Sequence, residues 1–303
     1  MPYALSIVLS LLLLLPFGPG LYPDGKGDAP DQLDRHVISF ADRGGIISYP
    51  DGEGDTPDQH DRRVISLAGR GGIISYPDGN GDKPYLPGRR VITFAGHKWI
   101  VSETGERGKT PGPNFFSSSE ENVWVDRQGR LHLKITHSNG RWECAEVIRI
   151  GAVSHGEYTF RILSDINGFD KNIVAGLFLY RDDQNEADIE FSRWGDEDSD
   201  AGQFTVQPSD REGNLFRFPV EKARKASTHI INWQKEYICF TSYNSHSPLP
   251  RERLILGGWK YSGEDIPAET KTKVIINLWL FRGTPPSDQK EAELIIENVK
   301  FKD

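Results

Sequence analysis

The stretch that most constrains this chain is Asn185-Glu186-Ala187-Asp188-Ile189-Glu190-Phe191. Three acids alternate with the apolar Ala187, Ile189 and Phe191. Strict alternation predicts a half-buried strand whose side chains part to opposite faces, apolar to the core and acids to the other side. Asp and Glu are depleted in strands. Neighbours on one face stand about 6.6 Å apart at a rise of ~3.3 Å per residue. Two unit charges at that spacing repel by about 2–3 kcal/mol at an effective dielectric near 20. In a cleft, such a row must hold at least one proton or bind something positive.

Spacing alone leaves three readings open. The row could be a solvated strand face, a metal site of converging oxygens, or a pair of catalytic carboxyl groups. For the third, the Cα atoms of Glu186 and Glu190 should lie about 13 Å apart. Side chains leaning inward can bring the carboxyls to about 5–6 Å, close to the ~5–5.5 Å between nucleophile and acid/base in retaining glycosidases. Asp188, shorter and between them, can hydrogen-bond one neighbour and help set which acid keeps its proton.

The rest of the chain narrows the choice. The net charge is −8 with no basic run, which argues against a nucleic-acid partner. No His/Cys/Asp cluster has zinc-ligand spacing, no Gly-x-Ser-x-Gly elbow occurs, and no glycine-rich phosphate loop precedes a helix. Seven Trp residues offer flat apolar faces, with core packing as the plainer use of each. Cys144 and Cys239 are too few for a disulfide framework and are expected to be unpaired.

Residues 1–20 contain an apolar run, Leu5 to Phe17, of a length that suits a secretory signal core and is short for a membrane span, although no Lys or Arg precedes it. A repeat follows: Tyr-Pro-Asp-Gly recurs at Tyr22, Tyr49 and Tyr76, a period of 27. The copies Tyr22–Ser48 and Tyr49–Ser75 differ at six positions, and Tyr76–Ser102 diverges further as it enters the domain. Two free copies over 21–75 cannot bury a core of their own, so a poorly ordered repeat region is expected ahead of a domain over 76–303. Asp-Gly-x-Gly-Asp pieces such as Asp78 to Asp82 invite a structural calcium, but they lack the later Glu of an EF-hand and read better as polar turns.

From Trp99 onward strand signals dominate. Val123–Asp126, a Gln128-Gly129 turn and Leu131–Ile135 read as a hairpin, and Ala175–Tyr180 is a continuous apolar run suited to a strand covered on both sides. Gln203–Gln207 and Lys273–Leu280 are further strands, the second with a single polar Asn277 inside. Strand-turn-strand spacing with almost no helical periodicity predicts an all-β sandwich of two antiparallel sheets.

Several stretches, in order, resemble one family. Glu-Ala-Asp-Ile-Glu-Phe is similar to the Glu-x-Asp-x-Glu signature of glycoside hydrolase family 16, the lichenase and laminarinase family. Ser154–Arg161, His229–Trp233, Asn277-Leu278-Trp279 and Ile295–Phe301 resemble further strands of that family, and together the matches cover roughly Trp99 to Asp303. Ala187 departs from the branched residue usual there. The resemblance implies a β-jelly-roll and a retaining endo-β-glycanase acting on a polysaccharide, for which no cofactor is needed; with the apolar run Leu5 to Phe17 read as a secretory signal, a secreted or periplasmic monomer without membrane insertion is expected. It implies Glu186 as nucleophile, Glu190 as acid/base and Asp188 as helper. By family position it also implies a cleft bordered by Trp194, Gln203, Asn277 and Trp279. Arg193 and Arg282 flank those elements and would serve a sulfated substrate, whereas the net charge favours a neutral β-glucan. The alternative reading is a non-catalytic carbohydrate-binding sandwich, which shares the fold.

Overall fold

The computed structural model describes residues 89–302, apart from 106–107, 110, 221–224 and 248–253. The expectations for residues 1–20, for the repeat region 21–75 and for Asp78–Asp82 lie outside the described residues.

The described chain is built almost wholly of strands, sixteen in number. The first sheet runs β11 (Leu215–Phe218), β10 (Gly202–Val206), β9 (Asn185–Phe191), β8 (Ile173–Asp182), β15 (Lys273–Leu280), β6 (Arg141–Arg149), β2 (His97–Val101), β1 (Val91–Phe94). The second runs β14 (Ile255–Tyr261), β13 (Ile238–Tyr243), β12 (Ser227–Trp233), β7 (Gly156–Ile162), β16 (Ala292–Lys302), β5 (Leu131–Ser138), β4 (Val123–Val125). Among the described residues every pairing is antiparallel except that of β3 (Phe115–Phe116) with β6.

The two layers are not separate. They are joined by the β5–β6 hairpin, whose turn residues Asn139 and Gly140 have φ of 52° and 75°. Asn-Gly tolerates positive φ at both turn positions, and the twist of such a turn matches that of the flanking strands.

β9 shows how the sandwich forms. Ala187, Ile189 and Phe191 are essentially inaccessible and join the main core. Their partners on β8 (Leu179, Leu177, Ala175) and on β10 (Val206, Phe204) face the same way. Burying Ile189 and Phe191 stabilises the fold by about 1.5–3 kcal/mol each. That gain holds the strand in place although its other face buries acids. His229 on β12 lies under this strand, its ring 4.7 Å from that of Phe191. Ser227 and Ser242 hydroxyls sit 2.9 Å from its two ring nitrogens, and burial depresses its pKa to about 3, so it is neutral in ordinary buffers.

The third repeat copy supplies β1 and β2. Its anchor is Trp99, fully buried, whose Nε1 donates to the Phe94 carbonyl at 3.1 Å. The corresponding residues of the first two copies are Gly45 and Gly72. Cys144 is buried and Cys239 half-buried, and both are free thiols. No helix among the described residues is long and apolar enough to cross a membrane.

Candidate active site

On the face of the first sheet away from the core, β9 carries Glu186, Asp188 and Glu190. Register with the neighbouring strands fixes what surrounds each acid. Glu186 stands opposite Tyr180, Asp188 between Phe178 and Thr205, and Glu190 between Gly176 and Gln203. One strand further, Asn277 on β15 pairs with Gly176, and Glu146 on β6 pairs with Asn277. Arg217 on β11 pairs with Gln203. A single row, Glu146–Asn277–Gly176–Glu190–Gln203–Arg217, therefore crosses six strands at about 4.8 Å per step.

The acids are held by neutral donors. Gln203 Nε2 donates to Glu190 Oε2 at 3.1 Å and to Thr205 Oγ1 at 3.0 Å. Gln207 Nε2 reaches Asp188 Oδ2 at 3.4 Å, and the Gln207 backbone N–H donates to the Glu186 carbonyl at 3.0 Å. Glu186 and Asp188 share a side-chain hydrogen bond, with Asp188 accepting. Tyr180 donates to Asp183 at 3.1 Å beside this pair.

Glu186 is 8% exposed, Asp188 3%, and Glu190 is half-buried. Burial is the main cause of raised pKa values in all three. Asp188 is pushed up to about 7, against the opposing pull of the hydrogen bonds from Glu186 and Gln207. Glu186 rises well above the usual carboxylate range, through burial and then the Asp188 charge. Glu190 rises for the same two reasons and is held back by Gln203 and Arg217. Burial and mutual repulsion thus both favour the protonated forms along this row.

The structure brings together the seven residues singled out from sequence as one connected surface: Glu186, Asp188, Glu190, Gln203, Asn277, Trp279 and, at its edge, Trp194. Asn277 is 2% exposed and packs over Gly176, where a Cβ would lie 2.5 Å from Asn277 Oδ1. Trp194, the seventh, sits on the loop after β9 with a φ of 53° and packs edge-on against Trp279, ring centroids 6.3 Å apart. Phe281 covers Trp194 further at 5.5 Å. Trp279 is left 4% exposed, so its ring is packed rather than offered as an open platform.

Arg193 differs from expectation. Its guanidinium donates to the carbonyls of Asn167 and Phe169 at 3.2 and 3.4 Å and to Asn167 Oδ1 at 3.0 Å. It ties two loops together. Arg282 is exposed and lies 4.9 Å over the Phe281 ring.

Sequence reasoning missed Glu146, Lys109, Ser102, Gln207 and Arg217. Glu146 is fully buried, accepts from Ser102 Oγ at 2.5 Å and pairs with Lys109 Nζ at 2.7 Å. A lone acid inside the apolar run Cys144–Ile148 was the available signal. Gln207 continues the period of two from Gln203 and Thr205 and was legible in the same way. Arg217 follows from the alternation of Leu215-Phe216-Arg217-Phe218.

Among the described residues, seven buried side-chain polar atoms lack a hydrogen-bond partner, and five belong to this surface. They are Asp188 Oδ1, Gln203 Oε1, Asn277 Oδ1, Glu146 Oε2 and Trp194 Nε1. Interiors seldom leave such atoms unpaired, and here they concentrate on one face of the first sheet.

No protein-family model matches the chain, and a search of curated proteins finds no relative. Solved structures do match. A β-1,3-glucanase from Mycobacterium marinum superposes with a TM-score of 0.51 at 14% identity, covering 73% of this chain and 93% of that one. A glycosyl hydrolase family protein from Mycobacterium fortuitum gives 0.50 at 15% identity, covering 67% and 90%. At such identities the likeness is one of architecture: the chain has the β-jelly-roll sandwich fold of these two proteins.

Proposed function

We propose that the chain is a retaining endo-β-glycanase that cleaves a neutral β-glucan by double displacement. The observation that carries this reading is the buried row Glu186–Asp188–Glu190, proton-sharing and surrounded by unpaired polar atoms, on the face of a glycosyl-hydrolase-like sandwich. A non-catalytic sugar-binding face has no use for three desolvated carboxyls.

Glu186 acts as nucleophile. It passes its proton to Asp188 through their shared hydrogen bond, and its carboxylate then attacks the anomeric carbon. The bond from that carbon to the leaving oxygen breaks as Glu190 gives that oxygen its proton. The result is a glycosyl ester on Glu186 and an ionised Glu190. Glu190 next takes a proton from water, the hydroxide attacks the anomeric carbon, and the ester bond breaks to return the Glu186 carboxylate. Asn277 and Gln203 amides meet sugar hydroxyls, and the edge of Trp194 meets a pyranose C–H face. Neutral substrate follows from the amides of this surface, the net charge of −8 and the engagement of Arg193 by loop carbonyls. A polymer substrate places the enzyme outside the cytoplasm, as the apolar run Leu5 to Phe17 suggests.

The test measures hydrolysis of laminarin, lichenan and carrageenan at several ionic strengths and follows product anomers by NMR. Glu186→Gln and Glu190→Gln should each lose at least about a thousandfold in kcat with an unchanged melting temperature or a higher one. Near wild-type kcat in either variant, or an inverted product, refutes the mechanism. Cleavage of carrageenan alone refutes the neutral-glucan assignment.

A further inference from the structure

We infer that Arg217 is a positioning residue for Glu190, fixing from the leaving-group side the charge that this acid can carry. The inference rests on the acid/base role proposed for Glu190.

The geometry begins in the register. Glu190, Gln203 and Arg217 occupy successive strands in one row. Two strand steps separate the Cα atoms of Glu190 and Arg217 by about 10 Å, and the register puts both side chains on the same face of the sheet. Two contacts place the Arg217 guanidinium. Arg217 Nη1 donates to Ser199 Oγ at 2.7 Å, and its Cζ lies 5.9 Å from the Trp194 ring centroid. Both partners belong to the loop that follows β9. The guanidinium therefore bridges the far strand of the row and the loop after β9, one strand beyond Gln203, which itself holds Glu190.

The charges around Glu190 make the role specific. Its own strand brings Asp188 and, further off, Glu186, both opposing ionisation. The strands on either side bring Gly176 and Gln203, and the next strand on the Gly176 side brings Asn277, all neutral. Arg217 is the counterweight from β11, and it lowers the Glu190 pKa against burial and Asp188. Glu190 must be ionised after it has protonated the leaving oxygen and must then accept a proton from water. A fixed cation stabilises that ionised form without donating a proton of its own.

The experiment compares kcat/KM against pH for the full chain and for Arg217→Gln, Arg217→Lys and Ser199→Ala. Removing the cation raises the Glu190 pKa, so the acid stays protonated to higher pH. The basic limb of the Arg217→Gln profile should move up by about half to one pH unit, the effect of one charge ~10 Å away in partly solvated surroundings. Arg217→Lys should keep the limb near wild type, and Ser199→Ala, which removes one of the contacts that place the guanidinium, should move it in the same direction as Arg217→Gln by a smaller amount. Arg217→Met, which keeps the aliphatic stem by Trp194, serves if the Gln variant does not fold. An Arg217→Gln or Arg217→Met profile that superposes on wild type overturns the inference, even if the melting temperature falls. Glu190→Gln separates the two failures: if that variant stays active the acid/base reading is wrong, whereas an inactive Glu190→Gln beside an unmoved Arg217→Gln profile removes only the role of Arg217.

Discussion

Asp188→Asn should stabilise this protein at alkaline pH and leave its stability unchanged at acid pH. Asp188 is 3% exposed and lies between two further acids on one strand face. Each ionised neighbour about 6.6 Å away costs about 2.5 kcal/mol at an effective dielectric near 20. Part of that is offset by the hydrogen bonds from Gln207 and Glu186, which favour the Asp188 carboxylate. An Asn keeps the shape and an acceptor oxygen, so the net gain should be about 1–2 kcal/mol at pH 8. A domain of this size shifts by about 2–4 °C per kcal/mol, so the melting temperature should rise by about 2–8 °C. The sign follows from linkage. The folded-state pKa of Asp188 is raised from 3.8 to about 7. The folded chain therefore holds a proton that the unfolded chain has already released over that interval. The stability this proton confers is full below about pH 4 and is lost as pH rises through about 7. The variant has no such proton to lose, so its advantage should appear between those limits and be absent at pH 4. Scanning calorimetry of both proteins from pH 4 to 8 measures this. An equal or lower melting temperature at pH 8, or the same offset at pH 4 and pH 8, refutes the account of a desolvated, proton-sharing row. Activity supplies a second sign. With the Asp188 charge gone, Glu186 and Glu190 ionise more readily, and both limbs of the pH–rate profile should move to lower pH.

Two further substitutions probe the surface around the row. Gly176→Ala places a Cβ 2.5 Å from Asn277 Oδ1. Because Asn277 is buried, overpacking should cost about 1–3 kcal/mol by urea denaturation and raise KM, and an unchanged KM would remove Asn277 from the substrate surface. Arg193→Ala breaks three hydrogen bonds to the loop around Asn167, so its melting temperature should fall while the ranking of laminarin, lichenan and carrageenan stays as in wild type. A change in that ranking would return Arg193 to the role of a specificity residue.

What the sequence determined here is local. The period of two over Glu186–Phe191 decided by itself that the acids share a face, because side-chain direction in a strand depends on position alone. The hairpin of Val123–Asp126 and Leu131–Ile135 was equally legible from its Gln128-Gly129 turn. The strands around Ala175–Tyr180, Gln203–Gln207 and Lys273–Leu280 could likewise be read from their own runs, whereas β6, β13 and β14 were not picked out. Tertiary structure decided which strands lie side by side and in what register. Nothing in the run Lys273–Leu280 says that Asn277 stands opposite Gly176, or that Gly176 stands opposite Glu190. The same holds for Glu146, whose partner Lys109 comes from a loop 37 residues earlier. It holds for Arg193, adjacent in sequence to the acid strand yet turned away from the row by carbonyls of another loop. Periodicity fixes a side chain's face, but pairing between distant strands is settled by the packing of the whole core, and the neighbours that tune Glu186, Asp188 and Glu190 exist only once that core has formed.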